Sequence, residues 1–243
     1  LGENGAGKST LVKCIMGYYR ADDGAVIVDG QERQMANPRD AMALGIGMVY
    51  QHFTLVPAMT VAENLVMSRR EVPAVIDWPK ETAALEAFMA GMPFKVPLRA
   101  TVADLSAGER QKTEILKQLY LQSRFLILDE PTSVLTPDEA DEMLGLLRGM
   151  TRRHELTVLM ISHKFREVTA YADEVTVLRK GRLAGSGAVK DLSRGDMAAM
   201  MIGTAELPAA AARQGKARPK PVLVLKDLTA DDPTGREGID IER

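Results

Sequence analysis

The stretch LGENGAGKST (1–10) decides the fold. Within it, Gly2-Glu3-Asn4-Gly5-Ala6-Gly7-Lys8-Ser9 fits G-x-x-x-x-G-K-[ST] at every defined position. Glycines let successive backbone N–H groups curl round phosphate oxygens, and a helix leaving the loop points its positive end at the same anion. Lys8 supplies a point charge for β- and γ-phosphates, and the Ser9 hydroxyl suits Mg²⁺. The residues read as phosphate-binding are Gly2, Asn4, Gly5, Ala6, Gly7, Lys8, Ser9 and Thr10. A loop of this kind normally follows a β-strand. Only Leu1 stands ahead of it, so the strand that aims the loop is expected upstream of Leu1.

Working outward, residues 8–19 read as a helix. AVIVDG (25–30) is a short β-branched run ending in a turn, and GMVYQ (47–51) reads as another strand. From about 59 to 120 the character changes: TVAENLVMS, PKETAALEAFMAGM and GERQKTEILKQLYLQ all carry apolar residues at helical spacing. FLILDE (125–130) is a continuous apolar run ending in acids, as expected of a strand buried on both faces. Pro137 can open a helix at its first position. LTVLMIS (156–162) reads as a second buried strand and EVTVLRKG (174–181) as a third. Strands alternating with helices predict an α/β fold with a largely parallel sheet, interrupted by a helical insertion. ELPAAAARQGKARPKP (206–221) has no apolar periodicity and reads as a linker; strand-like sequence resumes beyond it.

Composition narrows the function classes. A chain of 243 residues with 46% hydrophobic and 26% charged residues suits one large α/β domain, or one domain plus part of another. The net charge of -2 provides no global basic field, so nucleic acid is not an expected partner. No apolar run approaches the roughly 18–20 residues of a membrane span, and the first residues do not form a secretion signal. Any membrane role is therefore expected to be peripheral, through a partner. Cys14 is the only cysteine, which excludes an internal disulfide; it is expected in the core. His52 and His154 lack metal-ligand spacing. Trp78 is expected to pack within the helical insertion, and the basic residues Arg213 to Lys220 to lie on a solvated linker.

Three further stretches carry chemistry. Strands ending in Asp-Glu place carboxylates at the carboxyl edge of the sheet, where ligands bind in open α/β folds. Asp129 is expected to hold Mg²⁺ through water, and Glu130 to accept a proton from the attacking water or orient it. His163 closes the run LMISH; if its strand lies beside FLILDE, it reaches the γ-phosphate region. LSAGERQ (105–111) precedes an amphipathic helix, so Ser106 and Gly108 form a second anion-binding tip. The same residues also fit a plain S-x-x-E helix cap, Ser106 to Glu109.

With these stretches in place, the chain resembles the ATP-binding subunit of an ABC transporter. GENGAGKS is similar to its Walker A, YQ to its Q-loop and LSAGE to its signature. LILDEPTSVLT is similar to the Walker B and D-loop, and ISH to the switch histidine. The order and spacing match across residues 1 to about 203. MVYQHFTLVPAMTVAENL, LSAGERQKTEILKQLY and SHKFREVTAYADEVTVLRKGR further resemble the tandem ATPases of nucleoside and simple-sugar importers.

The resemblance implies a P-loop NTPase (RecA-like) core, with ATP and Mg²⁺ as cofactors. Two nucleotide-binding domains are implied to sandwich ATP head to tail. Lys8, Ser9, Gln51, Asp129, Glu130 and His163 then line this domain's own ATP, with Glu130, His163 and Gln51 catalytic and Ser9, Gln51 and Asp129 at the metal. Ser106, Ala107, Gly108 and Glu109 contact the ATP of the opposite domain. Ala107 replaces the usual glycine, Glu109 the usual glutamine, and Thr136 the D-loop aspartate. The family's adenine-stacking aromatic lies upstream of its Walker A.

The implied partners are transmembrane permease subunits, a second nucleotide-binding domain in the same parent chain, and indirectly a solute-binding protein. The implied location is peripheral, on the cytoplasmic face of the membrane. Residues 1–205 are assigned to the first domain, 206–220 to the linker and 221–243 to the start of the second. This piece alone is expected to turn over ATP poorly. The alternative is a non-transport ATPase of the same superfamily acting on ribosomes or DNA. The long coiled-coil insertions of the DNA-associated forms have no counterpart here.

Overall fold

The computed structural model describes residues 1–203, 228–230 and 239–241. The chain divides into two units, Leu1–Leu207 and Pro208–Arg243. In chain order the first unit begins with α1 (Lys8–Ile15), the strands β1 (Val26–Val28) and β2 (Gln31–Arg33), α2 (Pro38–Ala43) and β3 (Ile46–Val49). Three helices follow: α3 (Val61–Met67), α4 (Trp78–Ala90) and α5 (Ala107–Tyr120). Then come β4 (Phe125–Asp129), α6 (Pro137–Arg152), β5 (Thr157–Ile161) and α7 (Phe165–Tyr171). The unit closes with β6 (Glu174–Arg179), β7 (Arg182–Ala188) and α8 (Arg194–Ile202). In the second unit, β8 (Leu228–Ala230) pairs antiparallel with β9 (Ile239–Ile241). The linker expected at 206–220 lies outside the described residues, as does most of 221–243.

The centre of the first unit is a parallel three-stranded sheet in the order β3-β4-β5. In β4 alternate side chains go to opposite faces. Leu126 and Leu128 join one core cluster with Val49, residues of α3 to α5, and Met143, Leu144 and Leu147 of α6. Ile127 joins the other, with Val12 and Met16 of the α1 region, Ala41 of α2, Ile46 and Met48. Helices on both faces make the continuous apolar run of β4 necessary. The three helices of the 59–120 region thus share one core with the sheet and α6.

Several expectations need correction: Trp78 is exposed rather than packed within the helical insertion, and Cys14 is only partly buried. The strand at 174–181 is not a third parallel strand. β6 pairs antiparallel with β7 in a separate two-stranded sheet. Lys180 (φ 50°) and Gly181 (φ 75°) form the left-handed turn that folds it back. Only Val175 and Val177 of β6 are fully buried. The first helix also stops at Ile15 rather than continuing to 19, because the chain turns at Gly17 (φ 75°). There a Cβ would lie 2.8 Å from the Asn37 carbonyl carbon and oxygen.

β5 is less buried than its sequence suggests, with only Ile161 fully buried. A cavity of about 470 Å³ lies beside it, lined among others by Leu1, Leu159, Val168, Val175 and Leu178. Leu1 is hydrogen-bonded directly to β6. Its amino group donates to Thr176 O (2.7 Å), and its carbonyl accepts from Leu178 N (2.9 Å).

Helix entry is sequence-encoded. Thr60, Ser106, Thr136 and Ser193 each cap a helix, and each in return donates its backbone N–H to the carboxylate of the acid at the third helical position. Glu139 does more than cap. Its carboxylate accepts from Thr136 N (3.0 Å) and pairs with Lys112 Nζ (2.9 Å), tying α6 to α5. Lys112 first, and then the Thr136 amide, hold this carboxyl below the ordinary glutamate range. A lowered folded-state pKa contributes stability above the unfolded value that is lost as pH falls through the folded one. Glu139→Gln is therefore expected to lower the denaturation midpoint at pH 7. The gap to wild type should close as pH falls below about 4, which paired urea titrations at the two pH values measure.

Candidate functional site

The glycine-rich loop is held by its own backbone and by β6. Gly2 (φ 152°) lies so close to β6 that a Cβ would sit 2.4 Å from Leu178 O. Gly5 (φ 77°) and Gly7 (φ 96°) adopt left-handed conformations that favour glycine. Gly7 caps α1 without any side-chain acceptor, so its first-turn N–H groups stay available. The Ala6 carbonyl accepts from Gly181 N (3.1 Å), anchoring the loop to the β6–β7 turn. Lys8 folds back over the loop, its Nζ donating to Gly2 O (2.8 Å) and Glu3 O (2.9 Å). The ammonium is thus fixed on the concave side where an anion would lie. Thr10 is exposed on α1.

Register brings the other predicted residues to the same sheet edge. Val49 pairs with Leu128 and Leu128 with Met160. Gln51, Glu130 and His163 therefore all leave the carboxyl ends of adjacent parallel strands, β3, β4 and β5. Ser9 Oγ donates to Asp129 Oδ2 at 3.4 Å, joining the loop to the end of β4. Asp129 is buried. Burial first, then the neighbouring Glu130, raises its pKa; the Ser9 bond, Lys8 and Lys13 pull the other way. A hydroxyl and a buried carboxylate are hard oxygen donors, the set that suits Mg²⁺.

Glu130 lies in the left-handed region, φ 49°, which a non-glycine residue seldom adopts. Its N–H donates to Ile161 O (3.0 Å), so this turn is pinned to β5. The result points its carboxylate at His163 Nδ1, 3.1 Å away. The condition set for His163, a strand beside FLILDE, is met. Gln51 is exposed, and its neighbour Tyr50 shares a 2.8 Å hydroxyl bond with Tyr18.

Ser106, Ala107, Gly108 and Glu109 stand apart, at the start of α5. Ser106 Oγ accepts from Glu109 N (3.2 Å), and Glu109 Oε2 accepts from Ser106 N (2.8 Å). The S-x-x-E cap is thus formed at the N-terminus of α5. Gly108 is buried, where a Cβ would lie 3.3 Å from both Glu139 carboxylate oxygens.

Sequence reasoning missed two buried charged groups near these loops. Glu114, fully buried in α5, accepts from the Thr54 backbone N–H and from its hydroxyl (2.9 Å), and pairs with Lys117 (2.6 Å). Lys117 Nζ also donates to Thr54 Oγ1 (2.7 Å), so the segment after Gln51 is clamped to α5. Glu167, in the first turn of α7, lies beneath Glu130 and His163. The only signal was a glutamate at an apolar helical position, in TEILK and in FREV. Among the described residues, no group of three or more His, Cys, Asp or Glu could hold a metal.

The fold and this edge-of-sheet constellation define an α/β module with a glycine-rich loop at the carboxyl edge of a parallel sheet. The ABC transporter family matches residues 1–133, more than half of the chain, and the chain belongs to that family. It is 40% identical to the glucose import ATP-binding protein TsgD13 of Haloferax volcanii, over 98% of this chain and 48% of that protein. It is 36% identical to the nucleoside import ATP-binding protein NupA of Lactococcus lactis, over 97% of this chain and 46% of that protein. The chain thus spans about half the length of these relatives. An ATP-binding cassette of an ABC transporter, solved in its ADP conformation, superposes with a TM-score of 0.68. That match covers 84% of this chain and 86% of the cassette at 23% identity, and so concerns the fold.

Asp129 supplies a test of the site's electrostatics. A carboxyl whose folded-state pKa is raised costs stability once ionised, and the cost disappears as pH falls below the ordinary carboxylate range. Without divalent cation, Asp129→Asn is expected to raise the thermal midpoint at pH 7. The gain should shrink toward zero near pH 4, a pattern that melts at the two pH values detect.

Proposed function

We propose that this chain is the ATP-binding and hydrolysing part of an importer for a small solute, a nucleoside or a simple sugar. The observation that carries the proposal is the convergence at one sheet edge of the Lys8 loop, the Ser9–Asp129 pair and the Glu130–His163 pair. The relatives named for glucose and nucleoside import support transport over ribosome- or DNA-directed work. Among the described residues no helix is long and apolar enough to cross a membrane. Solute passage is assigned to separate permease subunits, with this chain docked peripherally on their cytoplasmic side and a solute-binding protein acting through them.

The residues present fit MgATP. The glycines keep side chains out of the phosphate cradle, and Lys8 and the first turn of α1 offer positive charge there. Ser9 and Asp129, with Gln51 from the neighbouring strand end, would hold Mg²⁺, which when bound offsets phosphate charge. Gly2, Asn4, Gly5, Ala6, Gly7 and Thr10 complete the cradle.

Glu130 orients a water and takes its proton on the carboxylate. His163 holds that carboxylate in place and faces the terminal phosphate. Electrostatic stabilisation and positioning together lower the barrier to phosphoryl transfer. Ser106, Ala107, Gly108 and Glu109 serve the ATP of a second nucleotide-binding domain, which residues 221–243 begin after a linker at 206–220. The three-helix stretch of about 59–120 contacts the permease, and Gln51 couples it to nucleotide. Residues 1–205 form the first domain, which works with the second for full turnover.

Two variants of the full-length protein test this. Lys8→Ala should weaken ATP binding at this site by at least tenfold in equilibrium titration; unchanged affinity would contradict the loop assignment. Glu130→Gln should leave ATP affinity within about threefold and slow turnover by about 100-fold or more, the usual scale for losing a general base. ATP hydrolysis at this site that continues undiminished would remove Glu130 from the reaction.

A further inference from the structure

Beneath the exposed Glu130–His163 pair lies a second carboxylate with no part in the scheme above. Glu167 is 4% exposed, yet both of its oxygens are used. Oε1 accepts from Thr132 Oγ1 at 2.6 Å, and Oε2 accepts from Ser162 Oγ at 3.0 Å. Thr132 stands two residues after Glu130, and Ser162 immediately precedes His163. One side chain therefore spans the two loops that carry the proposed catalytic pair.

Lys164 closes the network. Its Nζ pairs with Glu167 Oε1 (3.2 Å) and donates to Thr132 O (3.0 Å) and Thr132 Oγ1 (2.9 Å). Its backbone N–H donates to Ser162 Oγ (3.1 Å). Every hydroxyl in the network has a donor on one side and an acceptor on the other, so its hydrogen bonds have a single consistent direction. Such fully satisfied buried networks are rigid, because each alternative arrangement leaves a buried polar group unpaired.

Above this network the pair is less enclosed, and the loop after β4 adds only the local bond from Ser133 N to Glu130 O (3.3 Å). The His163 side chain is 58% exposed and Glu130's is 20% exposed. The backbone bond from Glu130 N to Ile161 O fixes the start of one loop against β5, but it does not reach beyond Glu130. We propose that Glu167 is a positioning residue for ATP hydrolysis, setting the separation of the Glu130 and His163 loops by bridging Thr132 and Ser162. This rests on the hydrolytic assignment of Glu130. Glu167 touches neither the Lys8 loop nor Ser9, so its role lies in turnover and not in nucleotide capture.

The test uses the full-length protein, with ATP titration, steady-state kinetics and thermal melts run together. Glu167→Ala should reduce kcat at least tenfold with the ATP dissociation constant within about threefold. Glu167→Gln keeps the shape and one acceptor oxygen, and should recover part of the lost rate. Should Glu167→Ala fail to fold, Thr132→Val and Ser162→Ala remove one bridge each and should each lower kcat with little change in ATP affinity.

Combining Glu167→Ala (or Thr132→Val) with His163→Ala should cost less than the product of the single effects, because Glu167 acts through the same pair. Independent, multiplicative losses would overturn the proposal, as would a kcat decrease matched by lost ATP affinity. If Glu130→Gln slows turnover while kcat is unchanged in Glu167→Gln, Thr132→Val and Ser162→Ala, Glu167 has no positioning role and the hydrolytic assignment stands. If Glu130→Gln itself has no effect, the hydrolytic assignment falls, and this proposal with it.

Discussion

Two successive carboxylates, Asp129 and Glu130, stand at the end of a strand sealed by helices on both faces, and much of the structure answers that charge. An ionised group near a low-dielectric interior is costly unless charge or hydrogen bonds compensate it. The compensation comes from two directions. The phosphate loop contributes the Ser9 hydroxyl and the Lys8 charge to Asp129. Beyond the end of β5, His163 Nδ1 meets the Glu130 carboxylate, while the Ile161 carbonyl holds the Glu130 backbone N–H. The parallel register of β3, β4 and β5 makes this possible, since only parallel neighbours deliver all their carboxyl ends to one side. A one-residue slip of β4 would exchange the faces of Leu126, Ile127 and Leu128 and reverse the two acids as well.

The parts of this arrangement legible in the sequence are those that a local physical demand writes into neighbouring residues. FLILD reads as a buried strand because two apolar faces demand it. GENGAGKS reads as a cradle because close anion approach excludes side chains. The start of α5 reads as a cap because the reciprocal bond needs Ser or Thr three residues before an acid, here Ser106 and Glu109. β6 carried its own correction: the alternation Glu-Val-Thr-Val and the Lys180–Gly181 turn specify a half-buried hairpin strand. Its apolar residues alone suggested another central strand.

What was not legible is long-range polar pairing. Glu167 meets Thr132 across 35 positions, and Glu114 meets Thr54 across 60. In a sequence, a glutamate on an otherwise apolar helix stripe looks like a boundary residue with its head in water. Only the fold shows the hydroxyls and ammonium that let it be buried. The consequence for the site is direct. The glycine-rich loop could be read from spacing, whereas the buried groups that hold the loops after β3, β4 and β5 could not. Gln51 illustrates the difference: its position was readable, but the Glu114–Lys117 clamp on Thr54 was not.

That clamp and the Glu167 network have the same physical form, a buried carboxylate paired with a lysine three residues away and capturing a threonine from a loop at the sheet's carboxyl edge. Removing one partner from such a group strands a buried charge, so the loop cannot drift by small steps; it is either captured or released. The conformation of Glu130 makes that behaviour useful. A left-handed glutamate costs of order 1–3 kcal/mol and persists only where its surroundings over-determine it. Here the surroundings are the Ile161 carbonyl on one side and the Thr132 capture on the other. The strain at the end of β4 and the buried charges below it are thus two halves of one constraint: the first aims the carboxylate, and the second keeps it aimed.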